Sequence, residues 1–308
     1  MAKRKYISEF GLNAFCDGIA LTQQDRLTDV TKMGLDPHIY IIGRRPRITI
    51  DPASVIIDDR EVRGVFKIQK GESFESHNFL THNLLGTSQV TFEADYPYTE
   101  CRIRDQKGNV ISSGKTALVL ATFGSMYWNL LDLEVLYVGQ AYGESGERTA
   151  IDRLQKHSTL QSIYAEAIQR SPDQDVWIVL MNYEYLLLSS IDGRSKDYEA
   201  TEEEDTAHIH NVVSTPISEQ QRINFAEAAL IKYFQPEYNK IFKDTFPHPG
   251  HSTYSQCYEL DLNTLCIELG TEQIMSRLWS SKVPPAWNHF YQFPMHSVEE
   301  RKKMFDLS

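Results

Sequence analysis

The chain has 308 residues, 41% of them apolar and 24% charged, with a formal net charge of −11. That length can bury a full core and predicts two or three folding units, while the lack of any run of 18 or more apolar residues excludes a helical membrane span. No apolar segment follows the basic start Lys3-Arg4-Lys5, and Cys16, Cys101, Cys257 and Cys266 form no CxxC pair, so the sequence predicts a cytoplasmic protein without a secretory signal, zinc site or disulfide framework.

In chain order, residues 22–33 have helical spacing, with Leu27 and Val30 on one face. The period then changes. Residues 38–43, 47–50, 62–68 and 89–94 are rich in β-branched and aromatic side chains and read as strands. Gln106-Lys107-Gly108-Asn109 is a turn signal and predicts a hairpin around it. The expected first unit, residues 1–122, is therefore β-rich with a leading helix. Its one basic cluster, Arg44-Arg45-Pro46-Arg47, is read as a solvated hairpin tip rather than a phosphate contact.

The second expected unit, residues 123–245, follows a β, α, α, β, long loop, α pattern. Residues 134–139 (EVLYVG) form a short strand, 147–157 a helix, and Ser158 with Gln161 a capping box opening a second helix to about Arg170. Residues 176–183 suit a buried strand. An acidic insertion over 189–215 is expected to be poorly ordered, since its charges offer few apolar anchors. Residues 217–234 form an amphipathic helix stopped by Pro236. In the remaining short extension, 246–308, residues 257–269 alternate as one or two strands and Ser297 caps a final helix. His208 with His210, and His248 with His251, are read as solvated or turn histidines rather than metal ligands. Residues 1–122 carry 16 Lys and Arg against 15 Asp and Glu, and residues 123–308 carry 15 against 27. Such acidity argues against a sequence-blind coat for a polyanion and leaves room for a local basic footprint.

Chemistry concentrates in the second unit. At about 100° per residue, Glu227 falls among Ile223, Leu230 and Phe234 on the apolar stripe of its helix. A carboxylate there costs several kcal/mol unless it is paired, protonated or bound to a metal. Taken alone, a structural ion pair explains it as well. Arg153 and His157 lie four apart on one helical face, one a forked donor suited to phosphate oxygens and the other able to pass a proton near neutral pH. Taken alone they form an ordinary surface pair. Tyr137-Val138-Gly139 ends a strand, with a glycine that permits close backbone approach.

Together these residues resemble the GIY-YIG nuclease superfamily. The resemblance rests on Tyr137-Val138-Gly139-Gln140 as the second half-motif, on Arg153 with His157, and on the string from Glu227 through Pro236-Glu237-Tyr238-Asn239, and it covers about 115 residues. The first half-motif is degenerate, and Ser125-Met126-Tyr127, with its tyrosine ten residues before Tyr137, is the candidate for it. The implied fold class is α+β: a small three-stranded antiparallel sheet flanked by helices.

The resemblance implies an endonuclease that hydrolyses nucleic-acid phosphodiesters, with DNA ahead of RNA, in a restriction or phage-defence setting. Glu227 would hold one Mg²⁺ or Mn²⁺, Arg153 would clamp phosphate oxygens, and Tyr127 or Tyr137 would orient or deprotonate the attacking water. A phenol does this near neutral pH only where neighbouring cations, here Arg153, His157 and the metal, lower its pKa. Asn239 would fix the loop behind the metal. A homo-oligomer or a defence-system protein is the expected partner, and no membrane. The competing reading is a binding module that keeps the nuclease fold without efficient turnover.

Overall fold

Four consecutive large apolar or aromatic residues, Ile39-Tyr40-Ile41-Ile42, suit a strand covered on both faces. In the computed structural model, which describes residues 3–32, 34–123, 125–141, 154, 158–193 and 198–306, they open strand β2 (Ile39–Pro46), and all four side chains are buried. β2 pairs antiparallel with β10 (Leu133–Gln140) on one edge and with β11 (Gln174–Ile191) on the other. Around it runs a seven-stranded sheet in the order β13 (Leu278–Trp279), β10, β2, β11, β1 (Ser8–Thr22), β12 (Thr264–Gly270), β14 (Asn288–Pro294). Its pairs are antiparallel except β1 with β12 and β10 with β13. The chain is a mixed fold of helices and sheets, compatible with the α+β class.

The period of two sorts the sheet's side chains into two layers. Ile39, Ile41, Val138, Val179 and Met181 pack in one, together with Ile223, Ala226, Leu230 and Phe234 of helix α5 (Glu219–Phe234). Tyr40, Ile42, Leu136, Ile178 and Leu180 face the other. There they meet Leu27 and Val30 of helix α1 (Leu27–Thr31), Leu160 and Ile163 of helix α3 (Ser158–Arg170), and Leu154. Between β2 and β10 the chain builds two small sheets. One holds β3 (Ile48–Ile50), β4 (Ile56–Ile57), β5 (Glu61–Lys70) and β6 (Ser73–His82), and the other β7 (Thr91–Glu93), β8 (Glu100–Arg104) and β9 (Val110–Lys115). Helix α2 (Thr116–Ala121) leads back towards β10. Among the described residues no helix is long and apolar enough to cross a membrane.

The units expected over 1–122, 123–245 and 246–308 all contribute strands to the central sheet. The segment before residue 22, which carried no expectation, is the fifteen-residue strand β1. The tail is sewn in by charge. Arg301 and Glu9 pair at 4% and 0% side-chain exposure, Arg301 also reaches Asp261 at 2.7 Å, and Lys5 reaches Asp261 at 2.5 Å. Arg4 donates to the carbonyl oxygens of Met304 and Ser190.

Three further expectations are corrected. The basic cluster is not a solvated tip: Arg45 is 2% exposed over the Trp177 ring, Arg44 pairs with Glu134 at 2.6 Å and Arg47 with Asp175 at 3.0 Å. Burial lowers the Arg45 guanidinium pKa to about 9 against the raising effect of Asp175. In the tail, the strand expected within 257–269 is β12 (Thr264–Gly270), but residues 255–259 are helix α6 (Ser255–Glu259), and among the described residues Ser297 and Glu300 exchange capping bonds around a turn that no helix continues.

The acidic insertion is the third correction. Its residues 202–214 form helix α4 (Glu202–Ser214), opened by a capping box between Thr201 and Glu204. The run Glu202-Glu203-Glu204-Asp205 fills the first turn, where the helix dipole favours negative charge. Asp205 and His208 are each 7% exposed. Asp205 accepts the Ser8 amide at 3.1 Å, and His208 stacks on Tyr6 with centroids 3.8 Å apart. Deleting residues 202–214 is therefore expected to abolish the cooperative thermal transition. Asp205→Ala, which strands the buried Ser8 amide, is expected to cost about 1–3 kcal/mol in urea melts.

Asp261 supplies a pH dependence. Burial pushes its carboxyl up, but hydrogen bonds from His296 and Lys5 and the charge of Arg301 outweigh burial and hold it below the ordinary carboxylate range. A depressed pKa contributes stability that is present above the unfolded value of ~3.9 and is lost as pH falls towards the folded one. Asp261→Asn is thus expected to destabilise the protein at neutral pH, with the gap from wild type narrowing below about pH 4 in melts across pH.

Candidate functional site

The site is organised by β10. At its end Gly139 stands opposite Tyr40 of β2, and a Cβ on Gly139 would lie 2.5 Å from the Tyr40 hydroxyl and 2.7 Å from the Tyr137 ring. No other residue fits there without moving one of the rings. The Tyr40 and Tyr137 rings sit 6.2 Å apart at 36°, with Tyr40 fully buried and Tyr137 half-buried. The glycine of the motif is thus fixed by two phenol rings packed over the backbone.

Asn239 joins the second segment to this strand. Its Oδ1 accepts from the Val138 amide and its Nδ2 donates to the Val138 carbonyl, both at 2.8 Å and 101 positions apart in sequence. A side-chain amide here stands in for a strand partner, satisfying a buried donor and acceptor at once. The neighbouring Tyr238 donates its amide to Leu136 O at 3.0 Å and its hydroxyl to Glu166 of α3 at 2.5 Å. Burial, with Glu166 behind it, pushes the Tyr238 phenol up to about 12, so this tyrosine is a fixed donor rather than a base. Pro236 and the left-handed Gln235 turn the chain out of α5 and along β10.

Glu227 lies on α5, which packs along β10. It is half-buried between the buried residues Ala226 and Ala228. Asn224, one turn earlier and about 60° around the helix axis, accepts from Gln140 Nε2 at 3.1 Å and donates to Thr253 O at 3.1 Å. Glu227 therefore stands on a helix tied to the residue that follows Gly139.

Of the expected site residues, the structure draws Tyr137 and Asn239 to one stretch of β10, while Glu227 lies on α5, which packs in the layer opposite the Tyr137 ring. Arg153 and His157 lie outside the described residues, although Leu154 between them is buried in the same layer as Tyr40. Ser125-Met126-Tyr127 is not on a strand beside Tyr137. The backbone of Ser125–Leu130 is a 3₁₀ helix, and the tyrosine packed against Tyr137 is Tyr40. The pair Ile39-Tyr40 opens strand β2, and its tyrosine is the one a local search around Tyr137 does not reach.

Among the described residues no group of three or more His, Cys, Asp or Glu is placed to hold a metal ion. The one carboxylate that the sequence resemblance assigns to a metal, Glu227, also interacts within the fold. Such a donor suits a hard, largely hydrated cation that takes its other ligands from phosphate and water. Comparison with protein-family models, with curated proteins and with solved structures gives no match.

The packing makes two substitutions informative. Gly139→Ala is expected to cost about 1–3 kcal/mol by overpacking against Tyr40 and Tyr137. Asn239→Ala, which leaves both Val138 groups unpaired, is expected to cost about 2–4 kcal/mol. Asn239→Asp should recover little of that, because an oxygen then faces the Val138 carbonyl. Urea denaturation of the three variants measures all of it.

Proposed function

We propose that the chain is a metal-dependent endonuclease of the GIY-YIG kind acting on DNA, of the type used in restriction or phage defence. The observation that carries this reading is the clasp between Asn239 and Val138. Two of the three segments on which the sequence resemblance rests meet through two hydrogen bonds on one strand. The antiparallel trio β10, β2, β11, with α5 on one face and α1 and α3 on the other, supports it as a scaffold.

In this reading Tyr40 takes the place first expected of Tyr127, and His38-Ile39-Tyr40 is the first half-motif. Tyr40 is a positioning residue, since it is fully buried and fixes the Tyr137 ring. Tyr137, half-buried, orients the attacking water and accepts its proton where neighbouring positive charge lowers the phenol's pKa. Arg153 and His157 are assigned to the phosphate oxygens and to proton transfer. Glu227 holds the cation, and Asn239 keeps β10 and the turn after α5 in register.

When bound, Mg²⁺ or Mn²⁺ supplies stabilisation of charge on the phosphate and the leaving oxygen.

Glu227→Gln tests the reading, because it keeps shape and hydrogen-bonding atoms while removing the charge. Plasmid nicking in Mg²⁺ is expected to fall at least about a hundredfold per folded molecule. A variant that melts early yet cuts normally per folded molecule would mark Glu227 as half of a structural ion pair and end its assignment as a ligand.

A further inference from the structure

Beyond the cleavage residues, the C-terminal end of α5 and the edge strand β14 enclose a cleft of about 590 Å³. Its walls are Tyr233, Phe246, Tyr291 and Phe293, with Lys232 and Lys282 among the lining residues and no Asp or Glu. In a chain with 42 acidic residues against 31 basic ones, a concave surface with only positive side chains is a local reversal of charge. The rings form a connected platform: Tyr291 lies 4.7 Å from Phe293 and 5.7 Å from Tyr233, and Phe293 lies 5.0 Å from Phe246. Tyr233 is held in place by its hydroxyl, 3.2 Å from His289 Nδ1. Tyr291 is 49% exposed, so part of its ring surface stays open.

The two faces of β14 differ. Tyr291 stands opposite Ile267, whereas Phe290 stands opposite the exposed Glu268, so the carboxylate belongs to the face away from the cleft. Fixed aromatic rings with ammonium groups at the rim are the chemistry that takes stacked bases and a phosphate backbone. A rigid ring also gives contact area at low entropic cost.

We propose that this cleft binds a single-stranded segment of DNA, a base stacking on Tyr291 and phosphates meeting Lys232 and Lys282. The choice of DNA rests on the nuclease reading. The stacking site itself rests on the cleft. Lys232 lies five residues after Glu227 on the same helix, about 7–8 Å along its axis.

The test measures fluorescence anisotropy of a labelled oligo(dT) with the full chain in EDTA, so that binding is read without cleavage. Tyr291→Leu keeps the apolar contacts with Phe293 and Tyr233 and should weaken binding about tenfold. Lys282→Ala, at an exposed position, should reduce the slope of log affinity against log salt by about 0.7. Phe290→Ala, 59% exposed on the same strand but outside the cleft, should change nothing. The proposal is overturned if oligo(dT) does not bind, if Tyr291→Leu binds as wild type does, or if Phe290→Ala weakens binding equally. Oligo(U) or a blunt duplex bound as tightly, with the same loss in Tyr291→Leu, overturns the assignment to single-stranded DNA. A protein that binds oligo(dT) through Tyr291 yet cuts no DNA keeps this cleft and loses the nuclease reading, so the two failures are distinct.

Discussion

β2 is hydrogen-bonded on both edges and covered on both faces, and this double enclosure sets the arrangement around β10. With Ile39 and Ile41 committed to one layer, Tyr40 is committed to the other, where its ring reaches across to β10. The only residue able to stand under that ring is glycine, so Gly139 fixes the register between the two strands. A shift by one residue would exchange the layers and push side chains into the space Tyr40 occupies. Register in turn places Val138 so that its amide and carbonyl meet Asn239, and Tyr137 so that its ring rests against Tyr40.

A second constraint comes from charge. Glu9 has no exposed surface, and a buried carboxylate of this kind survives only with its charge and lone pairs satisfied. Arg301 pairs with it, Asn263 donates to it at 3.1 Å, and the Lys5 amide donates at 3.1 Å. Such a cluster gives little net stability over an apolar replacement, but breaking it from one side strands the rest. What it does here is geometric. It draws residues 4–9, 261–263 and 301–304 to one point and so closes β1 against β12. The helix α4 attaches to the same region through Asp205 and His208, and the acidic run becomes part of the framework.

Legibility in the sequence followed the range of the interactions. The helix α5, the strands β10 and β11, the hairpin of β8 and β9 and the helix α3 were read from local period, turn and capping signals that lie within a few residues. The contact between Tyr40 and Tyr137 was not legible because the strand facing β10 lies far upstream, separated by two small sheets, and Tyr127 was expected from the sequence next to Tyr137. The charged run at 202–205 was read as solvated because composition outweighed Thr201 and Glu204, a capping pair that announces a helix start. The three arginines of residues 44–47 were read as exposed, since nothing local shows that Glu134 and Asp175 arrive from other strands. Asn239 was assigned to loop geometry from the family resemblance. Its bonds to the Val138 backbone link positions that no local pattern connects.

The acidity of the chain bears on how it can meet a polyanion. Association with nucleic acid usually draws on released counterions, with affinity falling steeply as salt rises. Here Arg44 and Arg47 are neutralised by carboxylates within the fold, and Arg45 is enclosed over Trp177. These cations are committed to the protein. At −11 overall, long-range repulsion works against the encounter, so the proposed recognition would come from short-range contacts in places where acids are absent. Stacking of bases on aromatic rings meets that requirement, because its strength depends on contact rather than on net charge. The aromatic platform beside α5 is the place we propose for this, and its two lysines would need to neutralise only the few phosphates of a strand stacked there.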